Sequence, residues 1–141
     1  MNTSLQKTIL AGVVGTIVMT VVMYLAPMMG LPKMNAAEML SGMMGVSIII
    51  GWAMHFMIGI VFALGYSFLF TAQVKIKNLV FKGVVFGFAA FVVAQIAIAM
   101  MGVVMGPMPV PEGGMALMMI GSIIGHTMYG IPVALIAKPQ Q

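Results

Sequence analysis

At 141 residues the chain suits a single domain, and 62 % of it is hydrophobic against 6 % charged. So few charges cannot cover a soluble surface, which leaves lipid as the fitting solvent. The absence of cysteine excludes disulfides, thiolate metal sites and cysteine nucleophiles, and a net charge of +4 on lysines scattered at helix ends gives no basic stripe for nucleic acid.

Charges divide the chain. None falls between Lys7 and Lys33, between Glu38 and Lys75, between Lys82 and Glu112, or between Glu112 and Lys138. Each gap exceeds the roughly 20 apolar residues that a helix needs to cross a bilayer. Four spans are therefore predicted, at about Thr8–Met29, Val46–Ala72, Gly83–Met105 and Met115–Ala137. The first run is longer than the roughly 7–15 apolar residues of a secretory signal, and no small-x-small cleavage site follows it, so it is expected to be retained.

The connections carry their own punctuation. Asn35-Ala-Ala-Glu38 reads as a capping box and predicts a short helix from Ala36 to about Met44 lying at the membrane interface. Gly106-Pro-Met-Pro-Val-Pro-Glu-Gly-Gly114 holds three prolines and predicts extended chain. Pro132 removes a backbone donor in the fourth span and predicts a kink near Met128–Pro132. Gly83, Gly87, Ala90 and Ala94 form one small-residue stripe, and Gly12, Thr16 and Thr20 another, both suited to close helix crossings. Lys7, Lys75, Lys77, Lys82 and Lys138 fall on one side of the spans, with Lys33 on the other. By the positive-inside rule both termini and the short middle loop are then cytoplasmic, in a cell inner membrane.

Two stretches correspond. His55-Phe-Met-Ile-Gly-Ile-Val-Phe-Ala-Leu64 and His126-Thr-Met-Tyr-Gly-Ile-Pro-Val-Ala-Leu135 agree at six of ten positions, 71 residues apart, and the same offset carries Gly12-Val13-Val14 onto Gly83-Val84-Val85. We read a duplication. The expected fold is an all-α membrane protein of four transmembrane helices, built as two tandem two-helix repeats in one domain. The repeats cover about residues 8–72 and 79–137, related by a pseudo-two-fold along the membrane normal.

His55 and His126 are the ionisable residues inside the spans. Such groups are functional suspects because they are expensive to bury. Each is flanked four residues away by small residues, Gly51 and Gly59 around His55, Ser122 and Gly130 around His126. The bland reading is a close crossing with each imidazole bonded to a neighbouring helix; the sharper one is a symmetric pair of ligands with room cleared beside them. Tyr24 and Gln95 share the 71-residue offset and are expected to join the same polar site in the outer half of the membrane. Of 19 methionines, 16 fall in residues 28–57 and 100–128. Flexible methionine fills gaps between helices, yet thioethers with imidazole also suit Cu(I). Met54, Met57 and Met128 stand nearest the histidines in sequence and complete the candidate metal set.

At Tyr24-Leu-Ala-Pro-Met-Met-Gly-Leu-Pro-Lys-Met-Asn35, Gly51-Trp-Ala-Met-His-Phe-Met-Ile-Gly59 and Gly125-His-Thr-Met-Tyr-Gly130, the chain resembles small bacterial four-helix inner-membrane proteins of unknown function. The resemblance spans nearly the whole chain and implies membrane location but no activity, cofactor or catalytic residue. With no intramembrane carboxylate, phosphate loop or nucleophile–base motif, nothing argues for an enzyme. The expected function is a non-enzymatic inner-membrane bundle or accessory subunit whose partners are the lipid bilayer and a second copy or another membrane subunit. One alternative is outward-facing Cu(I) binding or transfer through methionines with His55 and His126. The other is haem b held between the two histidines.

Overall fold

The structure, a computed structural model, describes residues 3–106 and 113–137. These residues are all-helical, with no strand among them. Helix α1 is Thr3–Leu25, α2 is Ala36–Met44, and α3 is Ile48–Gly65, which continues through a π-helical turn at Tyr66–Phe70 to Gln73. Helix α4 is Leu79–Met105 and α5 is Met115–Ile136. The segments Ser4–Met29, Ile48–Gln73, Leu79–Met105 and Met115–Ile136 are long and apolar enough to cross a membrane. The shortest has 22 residues, about 33 Å of helix against a hydrocarbon core of about 30 Å.

Elements start and stop for identifiable reasons. A 3-10 turn at Ala26–Met29, with Pro27 in its first positions, ends α1; Gly30 closes it at φ 80°, a conformation that glycine adopts without steric penalty. Asn35 caps α2, its side-chain oxygen accepting from the amides of Ala37 at 3.0 Å and Glu38 at 3.2 Å. Glu38 reaches Lys33 at 3.9 Å, both side chains well exposed. Helix α4 begins earlier than the charge pattern predicts because Asn78 caps it, accepting from Phe81 N at 3.0 Å. That places Lys82 inside the helix, where its stem is buried and its Nζ lies 5.9 Å from the centre of the Tyr66 ring. The helix α5 runs unbroken through Pro132, whereas the interruption of regular α-helix falls in α3, at the π-helical turn. Of the extended stretch predicted for residues 106–114, residues 107–112 lie outside the described residues, as do the last four residues of the chain.

Helix α1 packs against α3 and α5, and α4 packs against α5, so the order across the bundle is α3, α1, α5, α4. Backbone contact between α3 and α4 is sparse among the described residues; these helices meet through side chains, with the Tyr66 and Phe86 rings 4.9 Å apart. The crossings are as close as the small-residue stripes predict. A Cβ built on Gly12 would meet Ile60 Cα at 2.7 Å, and one on Gly83 would meet Ile131 Cα at 2.7 Å. A Cβ on Gly87 would collide with the carbonyl oxygen of His126. Threonines inside α1 return their protons to the preceding turn, Thr16 to Gly12 O and Thr20 to Thr16 O, both at 2.8 Å.

The core lies toward the end of the bundle that carries the short 74–78 connection. Ala11, Ala63, Tyr66, Phe86, Tyr129, Val133, Ala134 and Ala137 form one buried cluster there. The opposite end, carrying α2, is less densely filled and holds a cavity.

Candidate functional site at the α2 end of the bundle

His55 sits seven residues into α3, about 10 Å along the helix from Ile48. It is buried, 9 % exposed. Its Nε2 lies 3.3 Å from Thr20 Oγ1. Because the Thr20 hydroxyl gives its one proton to Thr16 O, it acts as acceptor toward the imidazole. Nε2 therefore carries the hydrogen in the neutral ring, and Nδ1 keeps its lone pair. No hydrogen bond to Nδ1 occurs among the described residues, and Nδ1 is not a sealed buried atom.

His126 is held differently. Its Nδ1 donates to Ser122 O at 2.8 Å, with Ser122 Oγ also near at 3.4 Å. A carbonyl only accepts, so here the hydrogen is on Nδ1 and the lone pair on Nε2. Gln95 Nε2 donates to Ser122 Oγ at 3.4 Å and completes the group. The Phe91 ring stands edge-on to the imidazole, with centroids 5.9 Å apart. The two histidines lie within electrostatic reach of one another, but each has its own hydrogen-bonding neighbourhood.

Beside His55 is a cavity of about 250 Å³. Methionines 19 and 23 line it from α1, Met34 from the connection before α2, and Trp52 from one turn above His55; Thr20 and Tyr24 also face it. The sulfurs of two of these methionines pack against glycines of α5, which do not themselves line the cavity. A Cβ on Gly125 would meet Met23 Sδ at 2.7 Å, and one on Gly121 would meet Met34 Sδ at 2.8 Å. Two thioether sulfurs thus occupy hollows that any larger residue would fill. Lys33 lies at the rim, close to Glu38.

The residues singled out from sequence separate into two groups. His55 and Tyr24 line the cavity, although Tyr24 is largely exposed. His126 and Gln95 belong to the Ser122 group. Met57 is 59 % exposed, and Met54 and Met128 are half-buried; none of the three is among the residues lining the cavity. Of the fifteen described methionines in the dense windows, seven are exposed: Met28, Met29, Met44, Met57, Met100, Met105 and Met115. Nor do the small residues around the histidines clear space for a flat ligand. Gly51 admits the backbone of α2 at Ala37, Gly59 admits Thr16 of α1, and Gly130 admits Gly83 and Gly87 of α4.

Met19, Met23, Met34 and Trp52 escaped the sequence reading. For Met19 and Met23 the signal was positional: residues 19, 20, 23, 24 and 27 recur at helical spacing on one face of the first span. No group of three or more His, Asp or Glu gathers among the described residues; the soft donors at the cavity are thioethers and one imidazole, beside the neutral oxygens of Thr20, Tyr24 and Asn35. Residues 2–138 match the model of a family of unknown function, DUF6789. No curated protein and no solved structure matches the chain.

Proposed function

The chain belongs to this family of unknown function, and from its own residues we propose that it is a non-enzymatic inner-membrane module that receives a small ligand in the cavity beside His55. The observation that carries this is the cavity itself: the buried His55, whose Nδ1 has no hydrogen-bond partner among the described residues, lines a space of about 250 Å³ at one end of the bundle. A lone pair that no donor of the protein fills is open to a ligand entering the cavity. The lysine bias supports placing the α2 end outside the cell and both termini in the cytoplasm.

The same reading takes the fold as two tandem two-helix units in one domain. Its support is that the Gly12 contact with Gly59 and Ile60 recurs 71 residues on as the Gly83 contact with Gly130 and Ile131. The units have diverged at the site. Phe91 stands in the second unit where Thr20 stands in the first, and Ala90 and Ala94 stand where Met19 and Met23 do. One half keeps the cavity and the other fills it. The sparse seam between α3 and α4 is where lipid, a second copy or another membrane subunit would complete the bundle.

Accessibility tests this reading. Met23 is 7 % exposed, yet lines the cavity. In cells expressing the chain, Met23→Cys should react with a small membrane-impermeant methanethiosulfonate added outside, and resist a bulky maleimide. An unreactive Met23→Cys beside a reactive Asn35→Cys would show that the cavity does not open outward.

A further inference from the structure

We propose that the cavity beside His55 binds one Cu(I) ion through the thioethers of Met19, Met23 and Met34 and the Nδ1 of His55. This deepens the reading of the cavity as a ligand site and rests on it. The proposal stands on which groups converge and which do not. Three methionines, from α1 and from the connection before α2, line one space with a single imidazole. Thioether sulfur is a soft, neutral donor that selects Cu(I), and imidazole accompanies it readily. No carboxylate is among the lining residues, so a hard divalent ion would find no negative charge there, only the neutral oxygens of Thr20, Tyr24 and Asn35. Four neutral donors leave a bound Cu(I) with one positive charge. That is tolerable about 10 Å along the helix from its start, near the interface, where Glu38 stands close to Lys33 at the rim.

Details of the surroundings agree. Thr20 accepts from Nε2–H and so fixes which nitrogen faces outward from the ring, the usual role of a hydrogen-bonding partner behind a ligating histidine. The Met34 and Met23 sulfurs rest in hollows at Gly121 and Gly125 of α5, while both side chains also line the cavity. Methionine side chains can then swing a sulfur inward by rotation about unbranched bonds. Size separates an ion from a macrocycle. Pockets for drug-sized molecules run from about 300 Å³ upward, and this one is about 250 Å³. A haem between His55 and His126 would also have to displace the helix contacts at Gly51, Gly59 and Gly130.

The test uses the full chain purified in detergent under anaerobic reducing conditions, titrated with Cu(I) against a chromophoric Cu(I) chelator. The wild type should withdraw one equivalent of copper, and its X-ray absorption should show sulfur with one nitrogen. The combined Met19→Leu, Met23→Leu and Met34→Leu variant conserves core volume and should therefore fold, while its affinity falls at least 100-fold. Met57→Leu should bind as the wild type does. Copper retained by a folded triple-leucine variant, or none withdrawn by the wild type, overturns the proposal. Should Met23→Cys still react from outside while the wild type takes no copper, the cavity stands and only the choice of ion fails. If neither is seen, both fail.

Discussion

The hydroxyl of Tyr129 donates to the backbone carbonyl of Gly59 at 2.5 Å, tying α5 to α3 across the face of α1. Gly15 makes the bond possible, since a Cβ there would meet the Tyr129 ring at 2.8 Å. Tyr129 is 3 % exposed and its ring also neighbours Phe62 and Phe86. Tyr129→Phe keeps that packing and removes only the hydroxyl, so it should lower the unfolding free energy by about 0.5–1.5 kcal/mol in mixed micelles. Gly15→Ala should destabilise more, because the ring must move and the bond goes with it. Equal stability of both variants and the wild type would show that the bond contributes nothing.

The glycines differ sharply in what a side chain would meet. At Gly83 an added methyl faces the backbone of Gly130 and Ile131, which cannot give way without separating α4 from α5. At Gly102, also within α4, it faces open space. Gly83→Ala should therefore destabilise by about 1–3 kcal/mol, whereas Gly102→Ala should be neutral or gain up to about 1 kcal/mol from helix propensity. Equilibrium unfolding of the two variants in one detergent mixture checks the contrast. A neutral Gly83→Ala would mean that the α4–α5 crossing is looser than described.

Much of this fold was legible in the sequence. The spans followed from uncharged length, the short α2 from its Asn35 cap, and the close crossings from glycines at spacings of four. What escaped was whatever depended on three dimensions. The methionine-dense windows began at residue 28 and so left out Met19 and Met23, which line the cavity, while taking in Met28 and Met29, which are exposed. Density along a chain does not distinguish a lipid-facing side from an inner one. The sequence left it open whether the four polar residues converge around one axis or bond to one another; Gln95 turns to Ser122 and Tyr24 lies at the cavity. The π-helical turn at Tyr66–Phe70 left no signal, having neither proline nor glycine within it.

Topology is open to a direct check. Asn35 precedes α2 and Asn78 precedes α4, at opposite ends of the bundle. With the α2 end outside, a single cysteine at Asn35 should label with an impermeant reagent in intact cells, and one at Asn78 only after permeabilisation. Labelling of Asn78→Cys in intact cells would invert the orientation.

Thr20 and Phe91 lie 71 residues apart, as His55 and His126 do, and each touches the histidine 35 residues on: Thr20 by a hydrogen bond at 3.3 Å, Phe91 ring against ring. If Thr20 serves to present His55 Nδ1 to the cavity, removing its oxygen should act through the imidazole. Thr20→Val is nearly isosteric and leaves Nε2–H without an acceptor, so the ring is free to turn. Partners behind ligating histidines contribute about 10–100-fold to metal affinity. Thr20→Val should thus weaken Cu(I) binding by about 10-fold or more without changing the one-to-one stoichiometry, and Thr20→Ser should restore most of it. Phe91→Ala, beside the other histidine, should leave the affinity unchanged. The decisive comparison is with His55→Ala. If that variant loses copper while Thr20→Val binds as the wild type does, Thr20 stabilises the helix pair but does not position the ligand. If His55→Ala binds as the wild type does, His55 is not part of the site.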